Sequence, residues 1–482
     1  MTETESTQPE SGRAGSARRA QRPGWSERVR FVAGPDGFAH TPHDVVTTDA
    51  AAAVAVAGRL FPDTRLEVSE LKVGGYQRLA GVPEPMRLVG ELRRAGLVAQ
   101  PNHVFFAHSC SCCGPHPAQT WGSGQGVQGA PVYASPVYAS PVYASPVYAS
   151  PVYASPVYAS PVYASPVYAS PVYASPVYAS PVYASAEQAT GRRPSSARPA
   201  VEPWVSLAST RCAAAAAAST AVPVVVLDTG LAMTDFQSTA IGALLPLLSA
   251  TTADGDQPDD DADEDLDPAA GHGTFIAGLI QQVAPGTAIT LQRVLHAEGD
   301  GDEVQIAAAI DALPDPPVGG ALLSLSFGGY ALEEPGLLAA AVARAQDRGY
   351  VVVASAGNDA TCRPTLPASL PGVISVGAVG PHGPAPFSNY GPWVRACAPG
   401  VDLVSTFFAG WNGDDPGTPD GDPDDYSGWA CWSGTSFAAP VVVGALAREM
   451  ATGTTATDAV AQLVDNPALL RLPGLGTVIN VL

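Results

Sequence analysis

Four short stretches carry the side chains that serine-centred acyl transfer requires. Asp228 directly follows the apolar run Val224-Val225-Val226-Leu227 and precedes Thr229-Gly230. His272 lies between glycines in Gly271-His272-Gly273-Thr274, and Asn358 closes Ala354-Ser355-Ala356-Gly357-Asn358. Ser436 stands among small residues in Ser433-Gly434-Thr435-Ser436-Phe437-Ala438-Ala439-Pro440. A serine hydroxyl is a weak nucleophile until a base takes its proton, and histidine has a suitable pKa. A buried carboxylate fixes the imidazole tautomer and stabilises the imidazolium. The developing oxyanion needs a side-chain donor and a backbone N–H. Each residue alone has a plainer reading: Asp228 as a strand-end cap, His272 as a surface histidine, Asn358 as a turn former, Ser436 as an N-cap. Their joint occurrence, in this chain order and beside glycines, favours catalysis.

Positioning four such groups takes a rigid frame. Apolar strand-like runs (Val224–Leu227, Ala288–Leu295, Ala321–Phe327, Tyr350–Ala354, Val373–Val379) alternate with helical segments (His272–Val283, Val304–Leu313, Pro335–Arg348 and the helix opened by Ser436). Continuous apolar strands alternating with helices predict an α/β fold, a parallel sheet covered by helices on both faces. Sites in such sheets lie at the carboxyl ends of the strands. A helix start also surrounds Ser436 with unpaired N–H groups and the positive end of a dipole.

The chain has 482 residues, 46% hydrophobic and only 14% charged, which leaves room for a large core and two or three domains. Its net charge of −21 argues against nucleic-acid and anionic-membrane partners. The most apolar windows are shorter than the ~20 residues that span a bilayer. No secretory signal is visible, which favours a cytoplasmic location with reduced thiols and leaves non-standard export open. Of the seven cysteines, Cys362 with Cys397 or Cys431 are candidate partners if the chain is exported.

Upstream of the α/β region the chain changes character several times. Residues 1–43 read as a disordered tail. Residues 44–108 read as a small α+β unit: a helix over Ala50–Leu60, strands around a Gly74-Gly75 turn, a helix over Pro83–Ala95 and a strand over Val98–Ala107. Residues 109–130 form a Cys/His/Gly-rich connector. In residues 131–185 the unit Pro-Val-Tyr-Ala-Ser repeats eleven times. Proline at every fifth position blocks a continuous helix, and an odd period gives a strand no apolar face, so an extended linker is expected ahead of stacked solenoid coils. Residues 186–221 continue the linker, and residues 222–482 are the catalytic region.

Two further groups of residues are candidate metal ligands. His103, His108, Cys110, Cys112, Cys113 and His116 offer soft and borderline donors for zinc or copper, without a familiar zinc spacing; surface thiols are the rival reading. The acidic stretches Asp254–Asp267 and Asp414–Asp425 read as solvated loops, with calcium as the alternative. Within the second, Asp420, Asp422 and Asp424 match the start of an EF-hand loop, but Asp425 and Cys431 occupy the positions of the turn glycine and the closing glutamate. The chemistry itself calls for no cofactor.

The Asp-Thr-Gly, Gly-His-Gly-Thr and Gly-Thr-Ser-x-Ala-Ala-Pro motifs, in the order Asp, His, Ser, resemble those of the subtilisin-like serine proteases from about Val222 onward. The resemblance implies Asp228, His272 and Ser436 as a triad, Asn358 as the oxyanion donor and polypeptides as substrates. It implies Ser324, Ser326, Phe327 and Gly328 as a substrate-binding strand that pairs with an extended peptide, and Ala354, Ser355, Ala356 and Gly357 as the other wall of the S1 pocket. Phe275 departs from the pattern, standing where many members carry a second histidine. The 44–108 unit is similar to the family's propeptides, which implies an intramolecular partner that assists folding and then blocks the cleft. Self-cleavage in the linker, after tyrosines of the repeats, is a further expectation. The rival to an active endopeptidase is an inactive scaffold presenting the tyrosine repeats to a partner.

Overall fold

Ten β-strands, mostly parallel, make the main sheet, and an antiparallel sheet built largely from the N-terminal part of the chain packs beside it. The computed structural model describes residues 28–34, 37–108, 116–117, 222–232, 248–249, 255–260, 266–332, 336–409 and 426–479. All of them fall in the unit formed by residues 1–123 and 207–482. The repeat tract, the cysteines of the connector and Asp420, Asp422 and Asp424 lie outside the described residues.

The N-terminal part contains β1 (Arg30–Val32), β2 (Phe38–Thr47), α1 (Ala50–Leu60), β3 (Glu67–Val73), β4 (Tyr76–Ala80), α2 (Pro85–Arg94), β5 (Ala99–Ala107) and β6 (His116–Pro117). The helices begin as their sequences require. Asp49 caps α1 by accepting from the Ala52 N–H at 2.9 Å, and Pro85 opens α2, where no N–H is needed. Gly74 and Gly75 both adopt positive φ and turn β3 into β4. β2 lies between β5 and β4. One face of this sheet buries Val45 and Leu79 against Ala53, Ala57, Leu88 and Leu92 of the two helices. Ordered structure starts earlier than composition suggested: β1 and the first part of β2 lie in the stretch read as a tail, and Val29, Ala39 and Val104 form a small core there.

The C-terminal part runs β7 (Pro223–Asp228), β8 (Leu231–Ala232), β9 (Leu248–Ser249), β10 (Gly255–Asp256), α3 (His272–Val283), β11 (Ala288–Arg293), β12 (Asp300–Asp302), α4 (Glu303–Asp311), β13 (Ala321–Leu325), β14 (Phe327–Gly328), α5 (Gly336–Asp347), β15 (Tyr350–Ser355), β16 (Ile374–Gly380), β17 (Gly383–Pro384), β18 (Ala396–Pro399), β19 (Leu403–Ala409), β20 (Ser427–Trp432), α6 (Thr435–Met450), α7 (Ala456–Leu463), β21 (Arg471–Leu472) and β22 (Gly476–Val478). The main sheet has the order β21-β22-β18-β16-β15-β13-β7-β11-β9, parallel from β22 to β9. Strand alternation divides its side chains. Val225, Leu227, Leu323, Leu325, Val352 and Ala354 share a core with Ile306 and Ile310 of α4 and Leu337 and Val342 of α5. The buried Val224, Val226, Leu322 and Val353 face the other way, and α6 packs across β13, β15, β16 and β18 and against α3. Both faces are covered, as the apolar runs predicted.

The acidic run 254–267 is not solvated loop throughout. Asp256 and Asp267 are buried at 2% and 0% exposure, and Asp260 pairs with Arg293. Asp256 belongs to the protein interior because hydrogen bonds, described below, offset the loss of water. Cys362 and Cys397 are free thiols, so neither suggested pairing of Cys362 is formed. Among the described residues, no helix is long and apolar enough to cross a membrane.

Candidate active site

Asp228 ends β7 and His272 opens α3, so two neighbouring elements deliver the carboxylate and the imidazole. Both side chains are buried, and His272 Nδ1–H donates to Asp228 Oδ1 over 2.6 Å. The Thr229 N–H donates to the same oxygen at 2.8 Å. The close approach depends on glycine: a Cβ on Gly273 would stand 2.4 Å from the Gly230 carbonyl oxygen. Behind the imidazole, Trp432 meets it edge-on at 5.6 Å between centroids and Phe437 lies 5.2 Å away. Phe275 packs on both, at 5.8 and 4.6 Å, so its departure from the motif extends an apolar wall.

Ser436 is the second residue of α6, and a proline five residues into the helix shapes its surroundings. Pro440 has no N–H to give to the carbonyl of Ser436, four residues earlier. That carbonyl instead accepts from Ser326 Oγ at 2.9 Å, and Ser436 Oγ donates to the Ser326 carbonyl at 2.7 Å. The two serines are thereby locked reciprocally. His272 Nε2 has no hydrogen-bond partner among the described residues. It is thus open to receive a proton once the hydroxyl turns from Ser326.

Asn358 is held by its oxygen so that its nitrogen is free to donate. Its Oδ1 accepts from the Thr435 N–H at 3.0 Å and from Thr435 Oγ1 at 2.8 Å. Thr435 Oγ1 in turn accepts from the Gly357 N–H at 3.1 Å. Buried Asn389 braces the same loop, donating to the Ala356 carbonyl at 2.9 Å and accepting from the Asp359 N–H at 2.9 Å. Asn358 Nδ2 and the Ser436 N–H converge on one atom, the carbonyl oxygen of His108, at 2.5 and 3.3 Å. Two donors, one from a side chain and one from a helix start, thus meet on a peptide carbonyl supplied by the N-terminal part of the chain.

The chain leading to His108 lies in an extended cleft. β5 runs between β12 and β14, antiparallel to both: Phe106 is opposite Asp300 and Gly328, and Ala107 is opposite Phe327. The Ala107 N–H donates to Gly299 O at 2.8 Å and the His108 N–H to Ser326 O at 3.2 Å. Side chains reinforce the pairing. The buried Glu303 carboxylate accepts from Gln100 Nε2 and His103 Nδ1, both at 2.7 Å, and from the Leu338 N–H at 3.0 Å. Asn102 Oδ1 accepts from the Val304 N–H at 3.2 Å, and Gln100 Oε1 from the Gly336 N–H at 3.1 Å. Two helix starts, α4 and α5, thus find their missing acceptors on β5.

The residues assigned to substrate binding divide accordingly. Ser326, Phe327 and Gly328 line β5, and Ser355 touches the His108 ring. Ser324 lies one layer in, paired with Val226 and Val353 within the sheet. Ala354 pairs in the sheet with Leu325 and Ser375, while Ala356 and Gly357 support Asn358. The grouping of His103 and His108 as metal ligands is corrected: His103 lies between Glu303 and the Leu332 N–H, and His108 meets Ser355. Among the described residues no group of three or more His, Cys, Asp or Glu side chains could hold a metal ion.

Asp256 is a residue that no local pattern in the chain singles out. Its Oδ2 accepts from Thr229 Oγ1 at 2.7 Å and from the Gly271 N–H at 2.8 Å, while the Gly273 N–H donates to Thr229 Oγ1 at 3.0 Å. One buried carboxyl therefore ties the residue after Asp228 to the residue before His272. Burial, with a smaller contribution from the Asp228 charge, pushes it up to about 8, against the hydrogen bond from Thr229 and the Arg293 charge.

Sequence comparison matches residues 219–467, just over half the chain, to the subtilase family. The chain belongs to the subtilase family. It is 37% identical over 198 residues to a thermophilic serine proteinase of Bacillus sp. (strain AK1), covering 38% of this chain and 44% of that one. It is 31% identical over 236 residues to subtilisin Savinase of Lederbergia lenta, covering 47% of this subtilase and 75% of Savinase. The chain spans about half the length of most of the curated relatives it matches. The crystal structure of a cold adapted subtilisin-like serine proteinase aligns at 25% identity with a TM-score of 0.42, over 54% of this chain and 89% of that one.

Proposed function

We propose that the protein is a serine endopeptidase made as a self-blocked precursor, in which Asp228, His272 and Ser436 act as the triad and residues up to His108 fill the cleft as the first substrate. The observation that carries this reading is the His108 carbonyl oxygen held by both Asn358 Nδ2 and the Ser436 N–H. In the proposed reaction Ser436 Oγ turns from Ser326, passes its proton to His272 Nε2 and attacks the His108 carbonyl carbon. The oxyanion is stabilised by Asn358 and the Ser436 N–H, and Asp228 stabilises the imidazolium. His272 then protonates the nitrogen of Ser109 as the His108–Ser109 bond breaks. Water, deprotonated by His272, releases the acyl-enzyme as a carboxylate on His108. This bond lies upstream of the tyrosine repeats, where self-cleavage was first expected.

The family match and the serine-protease relatives support the class of chemistry; the pairing of β5 supports a restraining role for the N-terminal unit. Intact mass and N-terminal mapping of the full chain test the reading. Wild type should yield a fragment beginning at Ser109, and Ser436→Ala should remain whole. Intact wild type that also fails to label with a fluorophosphonate at Ser436 would refute it.

A further inference from the structure

The S1 pocket is occupied by an imidazole, and its contacts are particular. The His108 ring is buried, with Nδ1 2.8 Å from Ser355 Oγ. It lies so close to Gly328 that a Cβ there would stand 2.4 Å from His108 Cε1. Ser355 is itself fully buried at the end of β15, and the imidazole is the partner that its hydroxyl finds. Burial, opposed by the nearby Asp359 charge, pushes the ring down to about 4, so a neutral ring is what the pocket holds at neutral pH.

An apolar ring of similar size would fill the same space and leave the Ser355 hydroxyl buried without a partner. A site built to hydrogen-bond a ring nitrogen disfavours the analogue lacking it, because the stranded polar group bears the cost. The neighbouring positions add size limits. Phe105 is buried in the core shared with Leu325 and Phe327, and Ala107 is itself buried beside Gly299.

We propose that Ser355 makes this enzyme selective for histidine immediately before the scissile bond, with the preferred sequence Phe-Xaa-Ala-His, so that its substrates are histidine-bearing extended peptides of the kind its own residues 105–108 present. The inference rests on the endopeptidase reading. The first test compares two fluorogenic peptides, Phe-Phe-Ala-His and Phe-Phe-Ala-Phe, on self-processed wild type and Ser355→Ala. The wild-type kcat/KM should favour histidine, and the His-to-Phe ratio should fall about 2- to 13-fold in Ser355→Ala, the range of one net hydrogen bond. The second test is a cycle in the full chain, reading the rate of the cut after residue 108 by mass spectrometry. Ser355→Ala should slow the cut in wild type and lose that effect in the His108→Phe background. An unchanged peptide ratio, or equal effects of Ser355→Ala in both backgrounds, overturns the selectivity. Casein hydrolysis with Ser436 labelling separates the failures: labelled, casein-cleaving enzyme without the ratio change loses the histidine rule alone, whereas unlabelled, inactive protein loses the endopeptidase reading and this inference together.

Discussion

Replacing Asp256 by asparagine should alter how stability depends on pH while preserving the alignment of Asp228 and His272. In the folded protein the carboxyl is raised to about 8, from an ordinary value of 3.8, mainly by burial. The native state therefore keeps a proton that the unfolded chain releases near pH 4. The stabilisation linked to that proton is fully present below about pH 4 and is lost as pH rises toward 8. Across that window the loss approaches about 1.4 kcal/mol per pH unit, so the full effect is several kcal/mol. Asparagine keeps an oxygen that can accept from Thr229 Oγ1 and Gly271 N–H and has no proton to release. Chemical denaturation of full-length Ser436→Ala, with and without Asp256→Asn, at pH 5, 6, 7 and 8 measures the difference without self-digestion. The asparagine variant should already be ahead by about 1.5 kcal/mol at pH 5 and should become relatively more stable with each step upward. Parallel curves would refute the claim that Asp256 is protonated in the native state. A loss of several kcal/mol at pH 5 would refute the claim that its hydrogen bonds can be kept by an amide.

Glu303→Ala strands two buried donors of the N-terminal unit, Gln100 Nε2 and His103 Nδ1, each at about 1–3 kcal/mol, so docking of the cleaved unit should weaken on the order of 10²-fold or more. Co-purification of the unit with the processed enzyme, and the lag before peptide hydrolysis, would report it; unchanged retention would count against Glu303 as the anchor. Thr435→Val removes one of the two bonds that hold Asn358 Oδ1 and should lower kcat about 10-fold with little change in KM. Asn358→Ala should cost roughly 10²–10³ in kcat, as removal of a side-chain oxyanion donor typically does; equal rates for either variant and wild type would contradict the assigned geometry.

The parts of the site that were legible in the sequence are those set by local chemistry. Asp228, His272, Asn358 and Ser436 stand at strand ends and helix starts because apolar runs and glycines mark those boundaries, and α1 and α3 occupy the residues that periodicity gave them. What escaped depends on distant pairings. Asp256 is one of nine acidic residues between 254 and 267. Nothing local separates it from neighbours such as Asp260; only the fold of Thr229 and Gly271 around it makes it an interior group. His103 and His108 looked like companions of nearby cysteines because proximity along the chain resembles a ligand set, yet β5 carries their side chains to different parts of the catalytic half. Glu303, a helical acid beside Asp302, gained its role only from the arrival of β5.

The same contacts bear on the order of events after the proposed first cut. Breaking His108–Ser109 removes none of the pairings of β5 with β12 and β14, nor the bonds to Glu303. Cleavage alone therefore leaves the cleft filled, now by a product whose new carboxylate lies beside Asn358 and the Ser436 N–H. What cleavage removes is the covalent tether, and with it the high effective concentration that returns a detached unit to the cleft. Release then depends on dissociation, governed by contacts such as Glu303 that lie away from the reacting bond. The proposed activation thereby separates into a chemical step set by the surroundings of His108, and a physical step set by the two helix starts that β5 caps. Glu303→Ala should accelerate the second without entering the first, while Ser355→Ala should slow the first and leave the Glu303 contacts in place.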